Sequence, residues 1–438
     1  MKRALLWKGL TVGGLALLLL LPLYMIEGLI VARSGRQRAV EANIAQTSVG
    51  RQRLIGPLLA LDYTVKQDEW VRGEQGRQGA WEAKTVARTL LLPPRQLTLE
   101  GAAQVEPRYR GLYKAQVFRM EGVLRGELAI PQSPALPSGL RELRWGKAHL
   151  VFAVSDLRGI QGHPKLRWHE RELGFRLVKT VAPLGRCLGV ELGEVQELLG
   201  QTRSFEIPDF QLTGTQELSV APVAEDTQIQ LSSTWASPSF GGQFLPVHRS
   251  VTSKGFEARW QVPGLARDLE GILEARGGGD SSLSVSFVEP VNIYLQTERA
   301  TKYGILFVGL VFAAFFFFEI LRRLPLHPMQ YLLVGVSLAL FFLLLLSLSE
   351  HMPFLWAYVT AGGASVLLLG FYLAGVLRSR TAGMGFSGAL VLLYGVLYGI
   401  LASEDNALLM GSALLFAVLA GIMAATRRLD WYGIGQSS

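Results

Sequence analysis

Six long apolar runs constrain this chain more than any other feature of its sequence. They cover residues 9–26, 303–318, 329–348, 354–377, 384–402 and 407–425. Each run is near the roughly 20 residues that a helix needs to cross a hydrocarbon layer about 30 Å thick. Half of the 438 residues are apolar and only 18% are charged. The sequence therefore predicts six transmembrane α-helices, one N-terminal and five C-terminal, and excludes a soluble globular protein.

The first run has the basic flank of a signal peptide but the length of an anchor. Lys2, Arg3 and Lys8 precede it. Signal peptides use roughly 7–15 apolar residues and end at a small-residue cleavage site. This run is longer, and residues 30–32 form a poor cleavage site. We therefore expect an uncleaved anchor.

The positions of Lys and Arg in the short loops predict the orientation of the helices. With the basic N-terminus in the cytoplasm, alternation also places there the basic residues Arg322, Arg323, Arg378, Arg380, Arg427 and Arg428. The opposite loops, 349–353 and 403–406, contain acidic residues and no Lys or Arg. Both termini are expected to be cytoplasmic. The predicted domains are an anchor (1–32), an outer β-rich domain (33–302), a five-helix bundle (303–426) and a cytoplasmic tail (427–438).

The outer segment has the pattern of a β domain. Strand-like runs of branched and aromatic residues, bounded by Gly, Pro, Ser and Asp, occur at 54–63, 85–92, 113–130, 149–154, 205–220, 227–235, 256–262 and 283–295. Residues 34–48 are typical of a helix that continues the first span. We predict a large, mostly antiparallel β domain, held by packing alone because the single cysteine, Cys187, has no disulfide partner in the chain.

A weak repeat lies within the β segment. Phe118 and Gly122 precede one strand pattern, and Phe210 and Gly214 precede a similar one. Repeated spacing of this kind is a signature of duplicated structural units. The repeat suggests two related β halves, although one undivided unit stays open.

The sequence predicts no catalytic, cofactor or metal site. The six histidines lack ligand-like spacing, and neither G-x-S-x-G nor His-Glu-x-x-His occurs. Residues 383–388 match the glycine spacing of a dinucleotide fingerprint, but they open a membrane helix and follow no strand, so we interpret them as a false match. The outer segment is only mildly basic, which disfavours nucleic acid as a partner. Gly9 with Gly13, and Gly395 with Gly399, have the spacing of close helix packing, within the bundle by default and at a dimer face as the alternative.

Polar residues at the ends of the spans are the remaining candidates. No ionisable residue lies at the centre of a predicted span, which disfavours an ion-coupled pump. Glu319 lies at a span end and is explained by pairing with Arg322 and Arg323. His327, Pro328 and Gln330 flank one end of the third span, and Glu350 and His351 flank the other. For all five, fixing turns and helix ends is at least as good an explanation as a functional role.

Several segments resemble the CreD family of bacterial inner-membrane proteins. The most specific is LHPMQYLLVG at residues 326–335, and similar stretches lie at 299–303, 315–319, 347–351, 234–240, 244–246 and 430–432. The resemblance implies a multi-pass protein of the bacterial inner membrane, with a periplasmic domain, that contributes to cell-envelope integrity and stress response. It implies no reaction and carries over no catalytic residue.

Three hypotheses for the function follow. The first is a non-enzymatic sensor or scaffold, with the lipid bilayer and envelope proteins or cell-wall components as partners. The second is an envelope enzyme acting on glycan or lipid, which requires a polar pocket with convergent titratable groups. The third is a lipid or small-molecule carrier, which requires a polar cavity lined by Ser337, Ser347, Thr360 and Tyr394. The ligand and the oligomeric state stay open.

Overall fold

The protein divides into two compact units, a helical unit of Met1–Arg38 with Val291–Ser438 and a β unit of Ala39–Pro290. The computed structural model describes residues 2–71, 80–136, 141–274, 281–289, 293–322, 326–376, 379–402 and 407–427. Some predicted features lie outside the described residues, namely the glycines at 277–279, the acidic loop at 403–406, the tail from residue 428, and Arg323 and Arg378.

The described part of the chain contains ten α-helices. They are α1 (Lys2–Leu18), α2 (Leu20–Thr47), α3 (Val195–Leu198), α4 (Leu269–Glu274), α5 (Ile293–Lys302), α6 (Gly304–Arg322), α7 (Pro328–Ser349), α8 (Phe354–Val376), α9 (Arg380–Ala402) and α10 (Ala407–Thr426). Pro22 lies in the first turn of α2, where a missing N–H group is tolerated because it has no acceptor within the helix. The helix predicted to continue through residues 34–48 is confirmed by the extent of α2.

Five helical stretches in the described residues are long and apolar enough to cross a membrane. They are Gly9–Thr47, Ile293–Phe316, Pro328–Ser349, Phe354–Val376 and Gly383–Ala402. The sixth predicted span falls on α10, where the described apolar stretch is the shorter Leu409–Gly421, so a sixth crossing stays a prediction. The second helical stretch starts at Ile293, ten residues before the predicted span at Tyr303, because α5 continues into α6. The start of the span itself stays a prediction.

Glycine permits a close contact between helices in the helical unit. Leu19, between α1 and α2, packs against Gly335 of α7. A Cβ added to Gly335 would lie 2.0 Å from Leu19 Cδ1 and 2.9 Å from the ring of Phe312. Small residues let membrane helices approach in this way. Gly335, the last residue of the LHPMQYLLVG segment, therefore has a packing role.

The β unit contains sixteen described strands. They are β1 (Gln52–Val71), β2 (Ala80–Leu92), β3 (Gln96–Arg110), β4 (Tyr113–Ala129), β5 (Arg141–Val154), β6 (Lys165–Trp168), β7 (Arg171–Gly174), β8 (Arg176–Val181), β9 (Gly185–Glu194), β10 (Thr202–Thr215), β11 (Glu217–Ala221), β12 (Asp226–Ser233), β13 (Ser239–Gly242), β14 (His248–Thr252), β15 (Gly255–Pro263) and β16 (Leu283–Ser286). The strand predicted over 283–295 is wrong beyond Ser286, because α5 begins at Ile293.

The strands form two sheets, which we call sheet 1 and sheet 2. Sheet 1 has the order β13-β16-β11-β1-β5-β9-β8, with β2 also paired to β1, and sheet 2 has the order β14-β15-β12-β3-β4-β10-β6-β7. The pairs β1–β11 and β3–β12 are parallel, and the other described strand pairs are antiparallel. Both sheets are therefore mixed.

The two sheets share one apolar core. Aromatic rings meet across it, with centroids 5.6 Å apart for Phe152 of sheet 1 and Phe210 of sheet 2, and 5.7 Å apart for Phe240 and Trp260. Burial of such large side chains is the main favourable term in folding. The β unit is thus held by a sandwich core, consistent with the single cysteine.

The topology contains a repeat, but not the one predicted from Phe and Gly. Strands β1, β3, β4 and β5 match β11, β12, β15 and β16 in sheet, order and direction, and each parallel pair joins the two halves. The predicted motif pairs lie on β4 and β10, which are neighbours rather than equivalents: Phe118 faces Gly214, and Gly122 faces Phe210. That recurrence therefore reflects pairing between adjacent strands, and at Gly214 a ring packed over a glycine, since an added Cβ would lie 2.5 Å from Phe118 Cζ.

Candidate functional site

Three of the predicted residues form the N-terminal cap of α7. His327 Nδ1 accepts a hydrogen bond from the Met329 N–H at 3.2 Å. Gln330 Oε1 accepts one from the His327 N–H at 3.1 Å. Pro328 is the first helical residue, where no N–H group is needed. This reciprocal arrangement is a capping box, so helix-start geometry accounts for His327, Pro328 and Gln330 together.

A buried carboxylate supports the same cap. Glu319 of α6 accepts hydrogen bonds from the Leu326 N–H at 3.1 Å and from the Tyr331 hydroxyl at 2.8 Å. Tyr331 is fully buried between the rings of Phe312 and Phe315. The pairing predicted with Arg322 and Arg323 rests on side chains outside the described part. Glu319 thus joins the end of α6 to the start of α7.

At the opposite end of α7, Glu350 joins three helices. Its side chain is 7% exposed. Oε1 accepts a hydrogen bond from the Tyr294 hydroxyl of α5 at 3.2 Å. Oε2 lies 3.5 Å from the Arg33 guanidinium of α2. Because a buried carboxylate is costly without such contacts, Glu350 fixes α2 and α5 against the end of α7. We call these three residues the Glu350 triad.

His351 has a different environment from Glu350. Its side chain is exposed, and Nδ1 lies 3.0 Å from the Ser347 carbonyl oxygen. The two neighbours do not pair with each other, because the Glu350 carboxylate is directed to Tyr294 and Arg33. His351 closes the last turn of α7, which is the capping role that the sequence favoured.

In the β unit, the link between β10 and β11 holds the end of α2. Thr215 N–H and Oγ1 donate to the carbonyl oxygens of Gly50 and Val49, at 3.1 and 2.6 Å. Gln216 Nε2 donates to Glu41 Oε2 at 3.1 Å. Gln216 has φ +65, a conformation in which non-glycine residues are uncommon. The surrounding bonds hold it there.

The same link also holds the last strand of the β unit. The Gln216 carbonyl accepts from the Phe287 N–H at 2.7 Å, and its N–H donates to the Gln116 carbonyl at 2.9 Å. Glu289 forms an ion pair with Lys114 and accepts from Gln116 Nε2. Gln216 therefore bonds both the chain that enters the β unit and the chain that leaves it. We call Thr215 and Gln216 the strand link.

Two arginines hold the last turns of α2. Arg110 donates to Asn43 and to Thr47 Oγ1, and Arg158 donates to the Gln46 carbonyl at 2.9 Å. Asp156 orients Arg158 at 2.6 Å, and this guanidinium holds the pKa of the Asp156 carboxyl below its ordinary value. Cations at a helix C-terminus are favourable. Sequence reasoning missed these residues because their partners are far away along the chain.

A carrier would require a polar cavity around Tyr394 in the helical unit, but the side chains around Tyr394 are aromatic. Tyr394 packs against Phe307 and Phe341, with ring centroids 4.7 and 4.6 Å away, and its hydroxyl donates to Ser365. Ser347 and Thr360 are exposed instead of facing it. The four residues named for a carrier cavity are therefore not brought together.

The pKa shifts of titratable groups in the β unit have local causes. The Glu191 carboxylate raises the pKa of Lys147 through an exposed ion pair, and Arg125 lowers the pKa of Glu206. Burial raises the pKa of the Cys187 thiol, opposite to what a nucleophilic thiolate requires. Within the described residues, no group of three His, Cys, Asp or Glu side chains could hold a metal ion.

The glycine pattern at 383–388 lies within α9, as expected for a false dinucleotide match. A Cβ on Gly383 would lie 2.8 Å from Ala374 Cβ and 2.9 Å from its Cα. Gly383 therefore allows α8 and α9 to approach closely. Its role is helix packing.

Comparison with known proteins identifies a relative over almost the whole chain. A family model described as "Inner membrane protein CreD" matches residues 4–432. The Inner membrane protein CreD of Escherichia coli is 36% identical over 458 residues, covering 99% of this chain and 95% of the relative. The match therefore includes both units.

Similarity to solved structures is weak. An M1 zinc metallopeptidase from Deinococcus radiodurans shares 12% identity with a TM-score of 0.23, over 44% of this chain and 42% of that chain. A second structure of that metallopeptidase gives 10% identity and a TM-score of 0.22. At such scores the likeness carries no argument about fold or activity.

Proposed function

The chain belongs to the CreD family of inner membrane proteins, and from that premise we propose that it is a non-enzymatic sensor or scaffold of the cell envelope. In this proposal the β unit faces the periplasm and binds an envelope protein or a cell-wall component. The helical unit anchors it and responds to its state. The cellular role is envelope integrity under stress.

The orientation is supported by the charges of the loops. Lys2, Arg3 and Lys8 precede the first span, and Arg322 and Arg380 lie at ends of helices that alternation places on the same side. The turn that contains Glu350 lies on the opposite side and has no Lys or Arg. By the positive-inside rule both termini are cytoplasmic and residues 33–302 are periplasmic.

Two chain segments connect the β unit and the helical unit. In each unit, one set of contacts holds both of these connecting segments, and this observation carries the sensor proposal. In the β unit, the strand link bonds Glu41 and Phe287, one on each connecting segment. In the helical unit, Arg33 and Tyr294, again one on each segment, bond the same carboxylate, Glu350. Each unit thus holds both connecting segments with its own contacts, which is the arrangement that the sensor proposal requires.

An enzyme of the envelope is the second candidate, and it has weaker support. The shifted groups of the β unit are solvent-exposed ion pairs or buried single side chains, rather than convergent acids and bases in one cleft. The E. coli relative bears the name of a membrane protein and no reaction. A small-molecule carrier has less support still, because the interior around Tyr394 is filled by aromatic rings.

A complementation experiment tests the sensor proposal. Cells lacking the gene would be supplied with the full-length chain or with Glu350→Gln or Gln216→Gly, and survival would be measured under a β-lactam. Glycine accepts the positive φ of residue 216 and removes only the side-chain bond to Glu41. We expect both variants to reach the membrane at normal amounts and to lose protection, whereas Lys254→Ala, in an exposed turn, keeps it.

Two results would contradict the proposal. One is full protection by both variants at normal protein levels, which would show that the function does not need the contacts of the connecting segments. The other is turnover of a peptidoglycan or phospholipid substrate by the purified chain, abolished by a single substitution in the β unit. That result would establish the enzyme instead.

A further inference from the structure

An open apolar groove lies between the N-terminal helices and α6. Its volume is about 790 Å³. α1 contributes Gly9 and Gly13, α6 contributes Val308 and Gly309, and the described residues that line the groove are apolar. A Cβ added to Gly9, Gly13 or Gly309 would meet no described atom within 4 Å. The close packing within the bundle that the spacing of Gly9 and Gly13 predicts is therefore not formed among the described residues, and the groove is open there.

At one end of the groove, α2 and α6 meet in an apolar contact. A Cβ on Gly304 would lie 3.3 Å from Leu23 Cδ2, so α2 and α6 meet at this point. Gly9 and Leu23 are fourteen residues apart, about 21 Å along a helix at 1.5 Å per residue. One leaflet of a hydrocarbon core about 30 Å thick is roughly 15 Å deep. The groove is therefore long enough for one acyl chain of a lipid.

Charged residues lie directly beyond that contact. Glu27 follows Leu23 by one helical turn, and Lys302 precedes Gly304 by two residues. Lys302 Nζ lies 2.8 Å from Glu298, and its side chain is 60% exposed. Glu27 is close enough to Lys302 to attract it electrostatically. Helical hydrogen bonds continue across Tyr303, which keeps Lys302 on the face of Ile305 and Gly309.

A simpler explanation for these charges is the ion pair of Glu298 and Lys302, one turn apart on α5. Such a pair contributes about a few tenths of a kcal/mol. This pairing leaves Glu27 unexplained, and it leaves two carboxylates together with the cations Arg299 and Lys302 next to an apolar groove. Carboxylates beside cations complement a headgroup that contains one phosphate and one ammonium group.

We propose that the groove binds an acyl chain of an aminophospholipid, whose phosphate contacts Lys302 and whose ammonium group contacts Glu27 and Glu298. An anionic glycerol headgroup fits this site less well, because it offers no cation to the two carboxylates. The site goes beyond the sensor proposal and does not depend on it. It would let the helical unit respond to the lipid composition of the membrane.

Native mass spectrometry of the full-length protein in detergent tests this site. The probes are dioleoyl phosphatidylethanolamine and dioleoyl phosphatidylglycerol, titrated separately. We expect one phosphatidylethanolamine per chain, bound about tenfold more tightly than phosphatidylglycerol. Gly309→Leu places a side chain in the groove, where its Cβ meets no described atom within 4 Å, and should abolish this binding. Gly363→Leu is the matched control, because Gly363 also has no described atom within 4 Å of an added Cβ but does not line the groove.

The charged end is tested separately. Lys302→Gln should weaken phosphatidylethanolamine binding about tenfold, and Glu27→Gln with Glu298→Gln should remove the preference over phosphatidylglycerol. Thermal melting in detergent confirms that each variant is folded. Equal binding of both lipids by the wild type, or binding unchanged in Gly309→Leu, would overturn the proposal. So would a disulfide-linked dimer formed efficiently through Gly13→Cys, since a second chain would then occupy the groove.

Discussion

The helical unit and the β unit use polar side chains in opposite ways. In the helical unit a few buried polar groups each join helices, as Glu350 joins α2 and α5 to α7, and Glu319 joins α6 to α7. In the β unit many exposed charges pair across strands, as Glu100, Arg125 and Glu206 do on sheet 2. The difference follows from the solvent, because water satisfies a surface charge and lipid does not.

This contrast predicts where substitutions act. In the helical unit, single polar residues and glycines should have large effects, since each fixes a contact between helices. In the β unit, the apolar core should dominate and the surface ion pairs should contribute little.

The largest effect is expected in the sandwich core. Phe152→Ala removes a ring that is 1% exposed and packs against Phe175 and Phe210. Such truncations cost roughly 3–5 kcal/mol. Urea unfolding of the full-length protein in detergent, followed by near-ultraviolet circular dichroism, measures the loss. Leu177→Ala, at an exposed position, is the control, and equal losses for the two variants would contradict a shared core.

The next effect is expected at a glycine of the helical unit. Gly335→Ala places a methyl group against Leu19 and Phe312, and overpacking of this kind costs roughly 1–3 kcal/mol. Gly363→Ala meets open space and should leave stability nearly unchanged. Thermal melting in the same detergent compares the two. A normal melting temperature for Gly335→Ala would show that α1, α2 and α7 do not need this contact.

A similar or slightly smaller effect is expected for the Glu350 triad. Glu350→Gln removes the charge that faces Arg33 and weakens the bond from Tyr294, which corresponds to roughly 1–3 kcal/mol for a hydrogen bond to a charged group. His351→Ala removes only an exposed contact to a carbonyl. Protease resistance of the turn after α7 would report the change. Equal protease sensitivity of Glu350→Gln and His351→Ala would contradict the different roles of these neighbouring residues.

The smallest effect is expected on the surface of sheet 2. The hydrogen bond from Arg125 lowers the pKa of Glu206 below its ordinary value of 4.5. Its stabilising contribution is therefore present above pH 4.5 and is lost as the pH falls through the lower value in the folded state. Glu206→Gln should cost about 0–1 kcal/mol at neutral pH and should reduce the acid sensitivity. Urea midpoints at pH 7 and pH 3 measure both, and a large loss at pH 7 would contradict the contrast between the units.

Local patterns predicted the helices better than the sheets. The apolar runs located α7, α8 and α9 because lipid demands a continuous apolar length, and the Pro after His327 marked the start of α7. The strand β3 was missed because its outer half, from Gln104 to Arg110, is exposed and polar. The Phe–Gly recurrence was detected but assigned to a duplication, since cross-strand pairing cannot be distinguished from repetition without the register.

The candidate residues show the same limit. His327, Pro328 and Gln330 were found because a helix cap is local in sequence. Glu350 was found, but its partners Arg33 and Tyr294 were not, because they lie on other helices. The strand link was missed entirely: Gln216 and Glu41 are far apart in sequence, and a positive φ at Gln216 has no signature in its residue type.

The contrast between the units assumes that one is in lipid and the other in water on the outer side of the membrane. Cysteine labelling in spheroplasts tests this most directly, with a water-soluble maleimide and the substitutions Lys254→Cys, Leu367→Cys and Arg380→Cys. Cys187 is buried and should stay unlabelled. We predict labelling of position 254 in intact spheroplasts, of position 380 only after permeabilisation, and of position 367 in neither. Labelling of position 380 in intact spheroplasts, or of position 367 as fast as 254, would contradict the account.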